Sequence, residues 1–293
     1  MLDDALKAAI EKALDAQLLA SSLRAVSGGC INESFAASLN DHTNIFIKVN
    51  ADHQVLESEA YGLRILKRSS ALASPQAKAI GRAGGKSFLV LEYLNLGTDA
   101  KASSWQALGS NLAAMHAMAK PEYGLDRDTI IGASIQKNLR HTSWSQFFIT
   151  QRLGVQHDMA VRNRCKLCDW PELVEAAGKI LESHEPSASL LHGDLWSGNV
   201  GFLEDGSPVV FDPAAYYGDR ETDLALSQLF GGFHDAFYRA YNKAWPLPAG
   251  YEVRAELYNL YHLLNHLNLF GVGYLEQVKA SIVRIIQSAK GLI

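Results

Sequence analysis

The feature that most constrains this chain is a change of hydrophobic period along it. In the first third the apolar residues come in short β-type runs, and from Trp105 onward they recur at helical spacing. Alternation sends successive side chains to opposite faces of a strand, whereas a 3.6-residue repeat builds a stripe along one helix face. A chain with both patterns, in that order, is expected to be α+β, with strands and helices segregated. Its 293 residues exceed the usual single-domain size, so one large domain or two lobes is expected.

Three runs, LRAV (23–26), ESFAASL (33–39) and IFIKV (45–49), read as an antiparallel meander broken by the turn segments GGCIN and NDHTN. VLESEAYGLRILKRS (55–69) carries helical spacing, and AKAIGRAGGKSFLVLEYL (77–94) reads as two strands around a glycine hairpin. Long helices follow in WQALGSNLAAMHAM, WSQFFITQRLGVQHDMAV, PELVEAAGKILESH and RAELYNLYHLLNHLNLF. In this half, β-like runs are expected only around residues 190–212. The expected organisation is a small β lobe over 1–94 with one main helix, a connector near Tyr93 to Thr98, and a larger helical lobe over 95–293.

Composition narrows the function classes. The net charge of −4, with no long basic run, argues against nucleic acid or an anionic membrane surface as the main partner. No apolar stretch approaches the ~18 residues of a membrane span. The opening MLDDALKAAIEKALDAQLLA has acids where a signal peptide has bases and reads as an amphipathic helix. Three cysteines make no disulfide framework, and the expected compartment is the cytoplasm. Cys165 and Cys168 form a CxxC without the second pair a zinc site needs, and His262 and His266 lack the glutamate of a zinc-hydrolase helix.

Four segments carry chemistry. Ser27-Gly28-Gly29-Cys30 lies between two strands and reads either as a plain turn or as a loop whose backbone N–H groups cradle phosphate. Lys48 sits mid-strand in IFIKV, where it either faces solvent or pairs with an acid of the following helix. Glu57 and Glu59 are the candidates, and Glu59 is preferred because it falls deeper in the helix. In LLHGDLWSGNVGF, Asp194 precedes Asn199 by five residues, the acid and amide of a phosphoryl-transfer loop. Asp212 ends the strand PVVFD, so Asn199 and Asp212 offer two hard oxygen ligands suited to Mg²⁺. Singly each residue also reads as turn or cap chemistry; the ordered set is hard to produce by chance.

The sequence resembles the protein-kinase-like superfamily in its aminoglycoside-phosphotransferase branch, and within it the fructosamine/ketosamine kinase family. The resemblance rests on SGGCINESF, FIKV, ESEAYGL, LVLEYL, LGSNLAAMH, HGDLWSGN, FDPAAYYGDRETDLA and YHLLNHLNLFG, spread over nearly the whole chain. It implies a bilobal kinase-like fold using ATP and Mg²⁺. By it, Gly28, Gly29 and Cys30 would lie over the phosphates and Lys48 would contact them while pairing with Glu59. Glu92, Tyr93 and Leu94 would form the hinge that binds adenine. Asp194 would be the catalytic base, Asn199 and Asp212 the metal ligands, and His192 and Asp223 the supports of the catalytic loop. Trp196, Asp219 and Glu221 would meet the acceptor, the two acids alternatively forming an ion pair with Arg220 or a helix start.

The family's acceptor is a ketosamine, free or on a protein lysine, phosphorylated on its 3-hydroxyl so that the amine is later released by elimination. Asp-Pro-Ala stands where protein kinases carry Asp-Phe-Gly, and Gly193 follows His192 where they carry arginine, which disfavours a protein kinase regulated on its activation loop. Kinases for aminoglycosides, choline or thiosugars, and a nucleotide-binding pseudokinase, are the alternatives. The protein is expected as a monomer or homodimer. A further expectation is that oxidation of Cys30 blocks ATP.

Overall fold

The computed structural model describes residues 2–26, 31–98 and 100–292. Helix α1 (Asp4–Leu14) is started by Asp3, whose side chain accepts the Leu6 N–H at 2.8 Å. Five antiparallel strands follow: β1 (Arg24–Val26), β2 (Glu33–Ser38), β3 (Asn44–Asn50), and then, after helix α2 (His53–Leu66), β4 (Ala77–Ala83) and β5 (Lys86–Glu92). They form one sheet in the order β1-β2-β3-β5-β4. The β4–β5 turn is made by Gly84 and Gly85, both at positive φ, as a two-residue hairpin of matching twist requires.

Both faces of this sheet are covered, and the period of β3 decides which residue goes where. Ile45, Ile47 and Val49 point to the face that buries Leu6 and Ile10 of α1. Phe46 points to the opposite face, where Leu56 and Leu63 of α2 pack on Leu89 and Leu91. Lys48 shares the parity of Phe46, so its alternation alone aims it at α2.

The rest is mainly helical: α3 (Ala102–His116), α4 (Trp144–Phe147), α5 (Val155–Arg162), α6 (Trp170–Leu181), α7 (Glu221–Leu229), α8 (Asp235–Ala244), α9 (Tyr251–Phe270) and α10 (Leu275–Lys290). Among them run short strands: β6 (Ala119–Lys120), β7 (Thr129–Ile131), β8 (Ser134–Gln136), β9 (Ala188–Leu191), β10 (Val200–Phe202), β11 (Pro208–Val210) and β12 (Tyr216–Gly218). β9 is flanked by β12 and β6, and β10 pairs with β11. The connector is tied to this half by Gly97, whose N–H donates to the Phe202 carbonyl at 2.8 Å.

Three differences from the sequence reading stand out. The hairpin β7–β8 was not anticipated; each strand has only three residues, too few for alternation to register. Segment 144–161 is not one regular helix, because a π-helical stretch (Phe148–Gly154) separates α4 from α5. Within it Arg152, fully buried, stacks 3.9 Å from the Tyr216 ring centroid and donates to Asn138 at 2.8 Å. Helices α8 and α10, each with a buried stripe, add to the helices expected from the sequence. No helix among the described residues is long and apolar enough to cross a membrane.

Candidate active site

Lys48 and α2 meet first. Glu59 is buried on the inner face of α2 and accepts from the Lys48 ammonium at 2.8 Å, whereas Glu57 is exposed and lies 3.4 Å from Arg127. Lys48 also contacts the Asp212 carboxylate, which comes from the other half of the chain. Burial works to strip the Lys48 ammonium of its proton, but the two carboxylates outweigh it and hold its pKa above the ordinary value. Burial likewise drives the Glu59 carboxyl up, against the pull of Lys48.

The loop after β9 is set by a buried acid. Asp223, in the first turn of α7, accepts the backbone N–H groups of His192 at 2.7 Å and Gly193 at 2.8 Å, and lies 3.2 Å from His116 Nε2. Burial alone would raise the Asp223 pKa, but these partners, His116 foremost, keep it below the usual range. Gly193 has φ +81, and a Cβ there would stand 2.1 Å from the Ala214 carbonyl oxygen, so only glycine fits.

His192 is buried, and burial lowers its pKa, which keeps the ring neutral. Its Nε2 lies 3.1 Å from the Phe211 carbonyl oxygen and must be the donor there, which leaves Nδ1 to accept the Asp194 N–H at 3.3 Å. The ring thus clamps the loop carrying Asp194 to the residue before Asp212.

Asn199 donates its amide to the Asp194 carbonyl at 2.8 Å and to the Asp194 carboxylate at 3.0 Å, which leaves its amide oxygen to accept. Asp194 itself is pushed up to about 7, by burial first and by the charges of Asp212 and Asp223, with Asn199 pulling the other way. Asp212 sits at φ 57, a left-handed conformation that few residues besides glycine, Asn and Asp adopt readily. This turn aims its carboxylate, 43% exposed, into the cleft. α2 approaches the same turn closely: a Cβ on Gly62 would lie 3.0 Å from the Pro213 ring.

Lys48, Glu59, Asp194, Asn199 and Asp212 line one cleft of about 880 Å³. At one end lie Glu92, Tyr93 and Leu94; at its floor Lys48, Asp194, Asn199 and Asp212 converge. Chemically the floor offers one carboxylate poised to take a proton, one fixed cation, and two oxygen donors. The Asn199 amide oxygen and the half-exposed Asp212 carboxylate are hard ligands and fit a magnesium ion that keeps part of its water shell.

A protein-family model described as fructosamine kinase matches residues 2–288. The chain belongs to the fructosamine kinase family. It is 41% identical over 267 residues to "Probable ketoamine kinase slr1563" of Synechocystis sp., covering 90% of both chains. It is 36% identical over 262 residues to the chloroplastic "Protein-ribulosamine 3-kinase" of Oryza sativa subsp. indica, covering 87% of this chain and 75% of that one. The crystal structure of a "Putative fructosamine-3-kinase" from Haemophilus somnus 129PT superposes with TM-score 0.88 at 31% identity over 96% of each chain. Aminoglycoside phosphotransferase APH(4)-Ia, solved with AMP-PNP and hygromycin B, shares the fold at TM-score 0.66 and 16% identity, over 99% of this chain and 100% of that one. The bilobal kinase-like α+β fold is therefore that of this kinase family and of its more distant structural neighbours.

Within this fructosamine kinase fold, two expected acceptor contacts fall elsewhere. Asp219 and Glu221 are each 1% exposed and do not reach the cleft. Asp219 accepts from Tyr258 at 2.7 Å and lies 2.7 Å from His184, while Glu221 makes a two-pronged pair with Arg254 at 2.8 Å. Arg220, the partner weighed from sequence, instead donates to the Trp245 and Pro246 carbonyls. Two neighbouring buried acids stay folded in because each has cationic or hydroxyl partners, which a linear pattern cannot reveal.

Trp196 does line the cleft, 38% exposed. Gly28, Gly29 and Cys30 lie outside the described residues. The cleft is also lined by Phe230, Phe270 and Tyr274, which the sequence does not single out, and by His266, which it offers only as half of an incomplete metal pair. His266 and Phe270 are four apart on one face of α9, and Tyr274 follows after the turn at Gly271.

Proposed function

We propose that this protein is an ATP-dependent kinase that phosphorylates the 3-hydroxyl of ketosamines, free or on protein lysines. The observation that carries the reading is the convergence of Lys48, Asp194, Asn199 and Asp212 on the floor of one cleft. The names of its relatives supply the acceptor class. Adenine takes the end lined by Glu92, Tyr93 and Leu94. Lys48, held by Glu59, meets the α- and β-phosphates.

The acceptor hydroxyl docks on Asp194. Its oxygen forms a bond to the γ-phosphorus while the bond from that phosphorus to the bridging oxygen breaks; ADP leaves and the hydroxyl proton passes to Asp194. Asn199 and Asp212 would hold Mg²⁺, whose charge offsets that of the phosphate oxygens. His192 and Asp223 position this loop without touching substrate. Residues 1–94 supply the nucleotide lid and 95–293 the catalytic loop and acceptor side. The protein works in the cytoplasm, as a monomer or homodimer.

The test is ADP release with Mg-ATP across a panel of fructosamines, ribulosamines, an aminoglycoside, choline and a thiosugar. The reading requires turnover of the ketosamines with a phosphorylated sugar as product. Turnover confined to another acceptor would replace it.

A further inference from the structure

The cleft continues past the catalytic floor along a wall of aromatic rings. Trp196, two residues beyond Asp194, stands 6.5 Å edge-on from Phe230, and Phe230 is 4.7 Å from the His266 ring. His266 in turn lies 5.4 Å from Phe270 and 5.2 Å from Tyr274. The rings come from the loop after β9, the end of α7, α9 and the turn before α10, and the corner between α9 and α10 brings Phe270 and Tyr274 together. Gly271, at φ 87, ends α9, so Phe270 closes one helix and Tyr274 precedes the next. Phe270 is 51% exposed and lines the cleft, so part of its ring is open to a group entering there.

Among the described residues the wall carries no carboxylate. The two acids that could have met a cationic amine, Asp219 and Glu221, are folded away from the cleft. Burial holds His266 below its ordinary pKa, so its ring adds no positive charge that would repel an amine. The wall is therefore neutral and apolar, and it begins beside Asp194, where the reacting hydroxyl must sit. Phe230, Phe270 and Tyr274 lie farther along this wall than Trp196, which is two residues from Asp194.

We propose that the rings of Phe230, Phe270 and Tyr274 receive the substituent on the ketosamine nitrogen and make the enzyme selective for aromatic or bulky apolar amines. This deepens the ketosamine-kinase reading and rests on it. Ring faces and edges at these separations accept a second aromatic group in stacked or edge-on contact, and a neighbouring ammonium over a ring face.

The test uses 1-deoxyfructose carrying benzylamino, butylamino or methylamino groups at carbon 1. For the native protein, kcat/KM for the benzyl compound should exceed that for the methyl compound by on the order of tenfold or more. In Phe270→Ala and Tyr274→Ala that ratio should fall toward one, with KM for ATP little changed. Phe270→Leu should keep selectivity for butyl over methyl but lose the added preference for benzyl. Thermal midpoints near the native value would confirm that the half-exposed substitutions leave the fold intact. A native ratio near one, or a ratio that survives both alanine variants, overturns the inference while leaving the kinase reading standing. If neither these three fructosamines nor the matching ribulosamines are turned over, the kinase reading falls and takes this inference with it.

Discussion

Asp194 carries two opposing demands at one residue. A general base works best with a pKa near the operating pH, and burial puts Asp194 at about 7, against 3.8 for an ordinary aspartate. The same shift burdens the folded state. A carboxyl whose folded pKa is raised contributes stability that is complete below the unfolded pKa and is lost as pH rises through the folded one. Asp194→Asn removes this charge while keeping an oxygen to accept from Asn199. Urea unfolding of the nucleotide-free protein should therefore show the variant more stable than native at pH 8, with the difference gone at pH 4. Equal stability at both pH values would mean that Asp194 is better solvated than its surroundings imply.

Gly193 is a second residue-scale test. An alanine Cβ would collide with the Ala214 carbonyl, so Gly193→Ala should destabilise by about 3 kcal/mol or more, read as a lowered urea midpoint.

At the scale of elements, α7 acts on the catalytic loop through one side chain. Asp223→Ala would leave two buried backbone N–H groups and His116 without their acceptor, a loss of roughly 2–4 kcal/mol. Because the loop it braces carries Asp194, kcat should fall along with the unfolding free energy; full activity would show that the loop holds its shape alone. Helix α9 carries an acid-sensitive device. His262 is buried there and burial drives its pKa down to about 3, so the folded protein keeps it neutral while the unfolded chain takes a proton near 6.5. Stability is unaffected above that value and falls below it, by roughly 1.4 kcal/mol per pH unit. His262→Gln should flatten the loss of stability between pH 6.5 and 5, measured by urea unfolding.

What the sequence could reveal followed from period and turn chemistry. Alternation in IFIKV is enough to send Lys48 to the α2 side, and helix depth is enough to prefer Glu59 over Glu57. The destination of Asp219 and Glu221 was hidden because their partners, His184, Tyr258 and Arg254, lie 33 to 39 residues away and have no fixed spacing. The aromatic wall was hidden for a related reason: its rings come from the loop after β9, the end of α7, α9 and the turn before α10, and only folding makes them neighbours.

Across the whole molecule, the site exists only because the two halves of the chain close on each other. Lys48 belongs to the sheet and Asp212 to the helical half, and the pair spans the cleft. Lys48→Met would strand Glu59 and Asp212 without their cation, which should weaken ATP binding at least tenfold while the helical half stays folded.

The central claim, that these groups transfer phosphate from ATP with Asp194 as the base, is tested most directly by phosphorus NMR of the protein with Mg-ATP and a fructosamine. The native protein should produce ADP together with a sugar phosphomonoester signal coupled to the proton on carbon 3. Asp194→Asn should bind ATP with native affinity and give no such signal. A variant that still forms the phosphomonoester within about tenfold of the native rate would contradict the assignment of Asp194, and with it the account of the cleft.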